Sequence, residues 1–450
     1  MAEQFSPSRL LPVLLPTPRS TPQAAPRRYW VAYSGGCDSH VLLHALVALR
    51  SNLPGSTIAA VHVNHGLNAR AAEWADHCRA TCAQLAVDYH LLQVDATAAP
   101  GESPEAVART ARYRAFATLL DEGDWLLTAH HRDDQAETLL LQLLRGAGAK
   151  GLAAMPQAAA FSSGTLMRPL LSFSREQLRH YAHGQQLQWI EDDSNQNEAF
   201  ARNYLRHQIV PRIEQRWPAA SRVIARSAAH LAESSALLDE LAATDLESVA
   251  ADGGATVRCS ALLTLSPARQ RNLLRYWIYR RGFALPSQSH LQHLLSDVVG
   301  AKIDAEPCIR WRGAEVRRYR DALSIMTPLP EPPSVDLSLQ WQPTAPLRDA
   351  RLAGTLSAKV VLGAGMKQPD GALEIRFRQG GERCQPTGCS ERTTVKKLLQ
   401  QYAVPYWERA YIPFIYVNGE LAAVAGLWVC EAHRCAPADT GLVLHWQRHD

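Results

Sequence analysis

Between Tyr29 and Leu46 the chain reads YWVAYSGGCDSHVLLHAL, and this stretch restricts the possible folds more than any other. A short apolar, aromatic and β-branched run from Trp30 to Tyr33, stopped by two glycines, predicts a buried strand. Val41, Leu42, Ala45, Leu46 and Leu49 share one face at helical spacing and predict a helix beginning near His40. Between them lies a loop, Ser34-Gly35-Gly36-Cys37-Asp38-Ser39. Glycines at a strand-to-helix junction let the backbone approach an anion, and free N–H groups and the helix dipole favour negative charge there. Ser34 and Ser39 add hydroxyl donors. Asp38 fits beside polyphosphate only if a cation bridges the two, and Mg²⁺ is the usual bridge. No Gly-Lys-Ser/Thr follows, so the Walker A pattern is absent. A Ser/Gly turn with Asp38 as a helix cap uses the same residues, so the loop alone does not decide.

The chain after this loop repeats its rhythm. Strands are expected at Thr57 to Asn64, Tyr89 to Val94 and Asp124 to Ala129, and helices at Arg70 to Leu85, Pro104 to Leu120 and Gln135 to Arg145. Such alternation predicts an α/β fold with a doubly wound parallel sheet. Polar residues gather where strands end: Ser34 to Ser39, Asn64 with His65, and His130-His131-Arg132-Asp133-Asp134. Ligands of open α/β sheets bind at those carboxyl ends. Asp133 or Asp134 offers a second Mg²⁺ ligand beside Asp38, and Glu137 follows one helical turn on. Capping of the next helix explains the same two aspartates. The spacings of His62, His65, His130 and His131 fit no structural zinc pattern.

At 450 residues, with 46% apolar and 20% charged residues and a net charge of +4, the chain is long enough for two or three soluble domains. The mild basicity permits nucleic acid without requiring it. Nine cysteines, scattered and without a secretory signal, predict free thiols and a cytoplasmic location. Cys384 with Cys389 and Cys430 with Cys435 form two Cys-x4-Cys pairs, for which a Cys₄ zinc site is conceivable and buried or surface thiols are the expectation. Prolines at 7, 12, 16, 18, 22 and 26 break the first residues into a flexible leader, 1–25, and no stretch is apolar enough to span a membrane. The expected domains are 26–216 around the sheet, a mostly helical 217–333 ending in the proline-rich Thr327 to Pro333, and an α+β module at 340–450. Arginines cluster at 202, 206 and 212, at 310 to 320, and at 376 to 392 with Lys396 and Lys397. Interleaved with Trp and Tyr, such patches suit a folded RNA.

These motifs together resemble one family. SGGxDS after a strand is similar to the pyrophosphate loop of PP-loop ATP pyrophosphatases, with their adenine nucleotide alpha hydrolase-like fold. HVNHGL at His62, EAVARTARYRAF at Glu105, TAHHRDDQAETLLLQLLRGAGAKGL at Thr128 and EDDSNQNEAFARNYLR at Glu191 resemble the tRNA(Ile)-lysidine synthetases within that superfamily. The last module agrees, from EIRFRQGGERC at Glu374 to the run from Val395 to Val429. One position departs: Asn68 follows His-Gly-Leu where many members carry arginine, a gap that Arg70 or Arg112 is expected to fill. The resemblance implies ATP and Mg²⁺ as cofactors, and an isoleucine tRNA with a CAU anticodon and free L-lysine as partners, with a homodimer left open. It implies adenylation of the wobble cytidine at its C2 oxygen, then displacement of AMP by lysine. By the same resemblance, Ser34, Gly35, Gly36, Cys37, Asp38 and Ser39 hold ATP. Asp38 and Asp134 hold the metal, or Asp134 orients lysine, with Asp133 and Glu137 adjacent. His130 steadies the leaving phosphate, and Arg112, Arg202, Asn203 and Arg206 contact adenylate or anticodon. The later domains grip the tRNA. A PP-loop tRNA thiolase is the alternative, although the chain lacks the Cys-x-x-Cys such enzymes use. A non-catalytic RNA-binding protein is another.

Overall fold

A computed structural model of the protein describes residues 4–15, 27–66, 70–97, 99, 104–302, 305–369 and 371–448, the side chain of Glu105 excepted. The chain divides into two compact units, Met1–Leu238 and Asp239–Asp450.

In the first unit six strands form one sheet: β1 (Arg28–Ala32), β2 (Thr57–Asn64), β3 (Asp88–Gln93), β4 (Trp125–Leu127), β5 (Ala158–Phe161) and β6 (Gly164–Met167). Their order is β3-β2-β1-β4-β6-β5. β1 pairs in parallel with β2 on one side and β4 on the other, Trp30 lying opposite both Ala59 and Leu126. The strand order therefore reverses at β1, and the loop leaving β1 opens into the crevice where such sheets bind ligands. Side chains alternate along β1 as the pleat requires. Tyr29, Val31 and Tyr33 pack with Val41, Leu42 and Leu46 of the Cys37–Ala48 helix, and with Cys78, Cys82 and Leu178 from two more helices. Trp30 points the other way, into a smaller core with Phe116 of the Pro104–Ala117 helix. Helices thus cover both faces, as a doubly wound sheet demands.

Three differences from the sequence reading bear on the site. The helix after β1 begins at Cys37 rather than near His40, because Gly36 (φ −76, ψ 164) is its N-cap and accepts from His40 N–H at 3.0 Å. Asp38 and Ser39 therefore belong to its first turn, where the dipole favours an anion. The sheet also gains a hairpin: β5 pairs antiparallel with β6 through Ser162 and Ser163, an edge that helix–strand alternation does not reveal. The third difference is the leader. Residues Pro7–Leu10 and Leu11–Leu14 are two short helical turns, and Phe5, Leu10 and Leu14 are buried in the main core. Phe5 meets the edges of Phe173 and Tyr181 at 4.9 and 5.0 Å, and Tyr29 Oη donates to the Leu14 carbonyl at 2.9 Å. Proline is tolerated in a first helical turn, so Pro7 and Pro12 start these turns rather than prevent them. Residues 1–3 and 16–25 of the expected leader lie outside the described residues.

The second unit holds a five-stranded sheet of Ala250–Ala251, Thr256–Arg258, Ala322–Met326, Ala314–Tyr319 and Cys308–Trp311, in that order. It packs against the Pro267–Arg280 helix and the segment 288–299 around the fully buried Trp277. The paired strands that the arginine-rich run Ile309 to Ile325 leads one to expect are thus part of a larger antiparallel sheet within the region expected to be mostly helical. Another five-stranded sheet, built on Leu373–Arg376, Phe414–Val417 and Glu420–Val424, and a three-stranded one on Gly354–Leu362 form the last module. Here the cysteine expectation is corrected. Cys384 and Cys430 are joined in a disulfide, while Cys389 and Cys435 stay free. The short strand ending at Cys384 and the residue after Trp428–Val429 meet in space, a pairing across 46 residues that local spacing cannot show. No described helix is long and apolar enough to cross a membrane.

Candidate active site

The loop after β1 is held in shape by its own side chains. Ser39 Oγ donates to the Gly36 carbonyl at 2.9 Å, lies 3.1 Å from Ser34 Oγ, and accepts from Ser34 N–H at 3.2 Å. Gly35 takes φ +83, the left-handed region glycine favours, and its carbonyl accepts from Ile190 N–H at 2.9 Å. A Cβ there would stand 2.7 Å from Ile190 Cδ1. Gly35→Ala is therefore expected to cost about 1–3 kcal/mol through backbone strain and the clash, and to weaken ATP binding. Thermal melts with and without ATP check this, and an unchanged melt would contradict the close approach.

The loop forms one wall of a cavity of about 380 Å³. Ser34, Gly36, Cys37, Asp38 and Ser39 line it, with His130 from the end of β4, Arg109 and Arg112 from the Pro104–Ala117 helix, and Arg175 and Arg179 from the Arg175–Gly184 helix. The segment Trp189 to Gln196 borders it, tied down where His40 Nδ1 meets the Gln188 carbonyl at 2.9 Å. With Arg206, five arginines line the cavity against Asp38, Glu191 and Asp192, an excess of positive charge that suits a polyanion. A smaller cavity of about 130 Å³ adjoins it beside Val61, Val63, Trp74 and Arg112. Of the two arginines offered in place of the one absent after His-Gly-Leu, Arg112 lines both cavities, whereas Arg70 pairs with Glu73 at the surface. Asn68 itself lies outside the described residues.

Behind the loop a buried charge network connects the motifs. His131 caps the Arg132–Leu144 helix, accepting from Asp134 N–H, while Asp134 Oδ2 accepts from His131 N–H at 3.0 Å. The His131 Nε2 atom lies 3.6 Å from Asp38 Oδ2 and 3.5 Å from Asp134 Oδ2. Burial opposes charge on His131, but Asp134, Asp38 and Asp133 outweigh it and raise its pKa. Neighbouring His130 goes the other way: burial lowers it to about 4, and its Nδ1 pairs with Thr128 Oγ1 at 2.9 Å. Burial would raise the Asp134 carboxyl, yet His131 and Arg202 bring it down to about 2, so it stays ionised. Arg202 and Arg206 share the two carboxylates. Asp134 Oδ1 accepts from both at 3.1 and 3.0 Å, and Glu137 from their Nε atoms at 2.8 and 2.7 Å. Arg206 also lines a third cavity, of about 850 Å³, with Asp133 and Glu137.

Saturation separates the acidic residues. Asp133 Oδ2 accepts from Arg175 N–H at 2.8 Å, a free donor in the first turn of the Arg175–Gly184 helix, beside its N-cap Ser174. Both oxygens of Asp134 and of Glu137 are engaged. Asp38 Oδ1, by contrast, is buried with no hydrogen-bond partner. A buried carboxylate oxygen left bare is unfavourable unless something fills the place, so Asp38 fits a Mg²⁺ ligand as it stands and Asp134 fits one only after releasing an arginine. Among the described residues no three His, Cys, Asp or Glu side chains converge as a preformed cage, a donor set compatible with a cation held by one carboxylate and substrate phosphates.

The other expected residues divide. Asn203 is not in the cavity; its amide donates to the Ser194 and Asn197 carbonyls at 3.0 and 2.9 Å and shapes the loop at the rim. Burial and Asp38 push the Cys37 thiol up to about 11, so it is no nucleophile. His131, Arg109, Arg175 and Arg179 were not singled out by sequence reasoning. The paired histidines after β4 were the available signal, but β4 ends at Leu127 and strand alternation does not extend to them.

A glycine loop at the reversal point of a parallel sheet, with an aspartate in the following turn and acids at the neighbouring strand end, defines a PP-loop nucleotide-binding protein. Residues 16–213 match the family described as PP-loop domain, 258–324 the TilS substrate binding domain, and 373–446 the TilS substrate C-terminal domain. Proteins named tRNA(Ile)-lysidine synthase are similar along nearly the whole chain. The one from Coxiella burnetii is 42% identical over 97% of this chain and 96% of its own. Those from Methylococcus capsulatus (42%, covering 93% and 96%) and Pseudomonas putida (43%, covering 95% and 97%) agree. The chain belongs to the tRNA(Ile)-lysidine synthase family and is an enzyme of that kind; the thiolase reading is not favoured.

Proposed function

We propose that the protein joins lysine to C2 of the wobble cytidine of a CAU-anticodon isoleucine tRNA, in two steps at the cavity beside Asp38. ATP lies with its β- and γ-phosphates over Ser34 to Ser39 and among the arginines that line the cavity. Its base sits toward Val61 and Val63 in the smaller cavity. Asp38 would hold Mg²⁺, which would supply charge neutralisation for the departing pyrophosphate. The cytidine O2 attacks the α-phosphorus, the bond to the β-phosphate oxygen breaks, and pyrophosphate leaves. The ε-amine of lysine then attacks C2, and the C2–O2 bond breaks with AMP taking the oxygen. A neutral pyrimidine carbonyl is a poor electrophile, and adenylation turns its oxygen into a leaving group. Neutral His130 donates a hydrogen bond to the phosphate without competing for a proton. Arg202 and Arg206 hold Asp134 and Glu137 near the site that admits the cationic amino acid. Residues 258–324 and 373–446 bind the tRNA body.

The observation that carries this reading is the bare, buried Asp38 Oδ1 at the reversal-point loop, facing arginines in one cavity. The test is incubation with the CAU tRNA, ATP and labelled lysine, followed by mass analysis of the modified nucleoside. A mass gain of one lysine less water is expected. No gain with intact tRNA binding would support a non-catalytic RNA binder, and sulfur in the product a thiolase.

A further inference from the structure

In the second unit a groove of about 610 Å³ runs between the Pro267–Arg280 helix and the segment formed by the Gln288–His293 helix and its π-helical continuation Leu294–Val299. Its floor is apolar, with Leu291 and Leu295. One wall carries Arg271 and Arg275, and the other Gln288, Gln292 and Ser296. Each row is spaced by four, so each lies along a single helical face.

The two arginines stand apart from the others of their helix. Arg269 is held by Asp245 through both Nε and a terminal nitrogen, and Arg280 lies over the Tyr276 ring at 5.8 Å. Arg271 and Arg275 have no ion-pair or hydrogen-bond partner among the described residues, and no carboxylate lines the groove. Asp297, next to Ser296, is taken up by His293 and by Ser296 Oγ. Like charges one turn apart destabilise a helix. Burial first, and the Arg271 charge second, lower the Arg275 pKa. The facing amides of Gln288 and Gln292 make no protein hydrogen bond among the described residues. Two bare guanidinium groups opposite two free amides over an apolar floor call for a ligand with repeated negative charge and neighbouring hydroxyls.

We propose that this groove binds a run of RNA phosphodiester backbone, with Arg271 and Arg275 on neighbouring phosphates and Gln288 and Gln292 on phosphate oxygens and 2′-hydroxyls. Arginine suits phosphate because its fork donates two parallel hydrogen bonds. Glutamine both donates and accepts, as a 2′-hydroxyl does. An acidic protein segment would satisfy the arginines but leaves the amides without a systematic partner. The proposal rests on the reading above that tRNA is the substrate, and it names the surface in the second unit that holds the RNA strand.

The test uses the full-length protein and the CAU tRNA, with affinity followed by fluorescence anisotropy over a range of KCl concentrations. The double variant R271Q/R275Q keeps helix-forming residues and removes both charges. Its tRNA dissociation constant is expected to rise about tenfold, and the slope of log affinity against log salt to fall by about two, one per lost phosphate contact. The KM for tRNA should rise while that for ATP stays. Arg280→Gln, on the same helix outside the groove, should alter neither quantity. Q288A/Q292A should weaken tRNA binding without changing the salt slope. An unchanged slope and affinity in a folded R271Q/R275Q would overturn the proposal, and would leave an acidic protein partner as the occupant. Failure of the substrate reading looks different: wild-type protein would then not bind or modify the tRNA at all.

Discussion

Asp38→Asn is expected to abolish ATP-dependent lysine incorporation, by about 10³-fold or more, while leaving tRNA affinity unchanged. The substitution keeps the shape of the side chain and removes its charge. Asp38 Oδ1 is the one acidic oxygen in the network that is buried without a partner, while Oδ2 sits 3.6 Å from His131 Nε2. An asparagine amide in the same place presents either a neutral oxygen or an N–H to the position a cation would take. The charge of the departing pyrophosphate then goes unbalanced on the side opposite the arginines. His131 also loses one of the three carboxylates that hold its pKa up against burial. The measurement pairs labelled-lysine incorporation with pyrophosphate release and filter binding of tRNA. Wild-type turnover in the variant would remove Asp38 from the chemistry. Equal loss of tRNA binding would mean that the substitution had damaged the fold.

How much of this was readable beforehand differs by level. The doubly wound sheet was legible because β-branched and apolar runs at Trp30, Ile58 and Leu126 alternate with helical periods, and both signals are local. The importance of the loop after β1 followed from the polar residues gathered at three strand ends, whereas the reversal of strand order there was not read, because it rests on pairing between segments distant in sequence. What stayed hidden depends on contacts distant in sequence. Leu10 and Leu14 looked like part of a broken leader because proline density dominates that stretch, yet they are buried in a core shared with β1 and the Cys37–Ala48 helix. Cys384 and Cys430 are brought together only by strands that meet in the last module. The same limit applied inside the site. The acids at 133, 134 and 137 were visible as a cluster, but their division into cap, network member and brace depends on Arg175, Arg202 and Arg206 arriving from far down the chain. The choice between His130 and His131 turned on side-chain direction past the end of a three-residue strand, where pleat alternation no longer applies.

Glu137→Gln should give the largest loss of stability among the site residues, about 3 kcal/mol, together with a fall in kcat/KM. Glu137 is 3% exposed and accepts from Arg206 Nε and Arg202 Nε, with Arg206 adding a second bond at 2.9 Å. Taking the charge from the centre leaves two partly buried guanidinium groups with only Asp134 between them, and breaking such a pair from one side costs more than the pair contributes. The arginines would then shift, and with Arg206 the wall shared by two cavities. A cycle separates bracing from direct recognition of lysine. Removing Arg202 as well, in E137Q/R202M, should recover part of the stability, because the uncompensated charge goes with it. Denaturant unfolding of the two single variants and the double variant gives that coupling, and steady-state kinetics give the KM for lysine in each. A Glu137→Gln protein as stable as wild type, with only the lysine KM raised, would make Glu137 a ligand of the amino acid rather than the brace for Arg202 and Arg206. The saturation of both its oxygens argues for the brace; Asp134 is saturated in the same way, by His131 N–H and by Arg202 and Arg206, and meets a cationic substrate only after releasing an arginine.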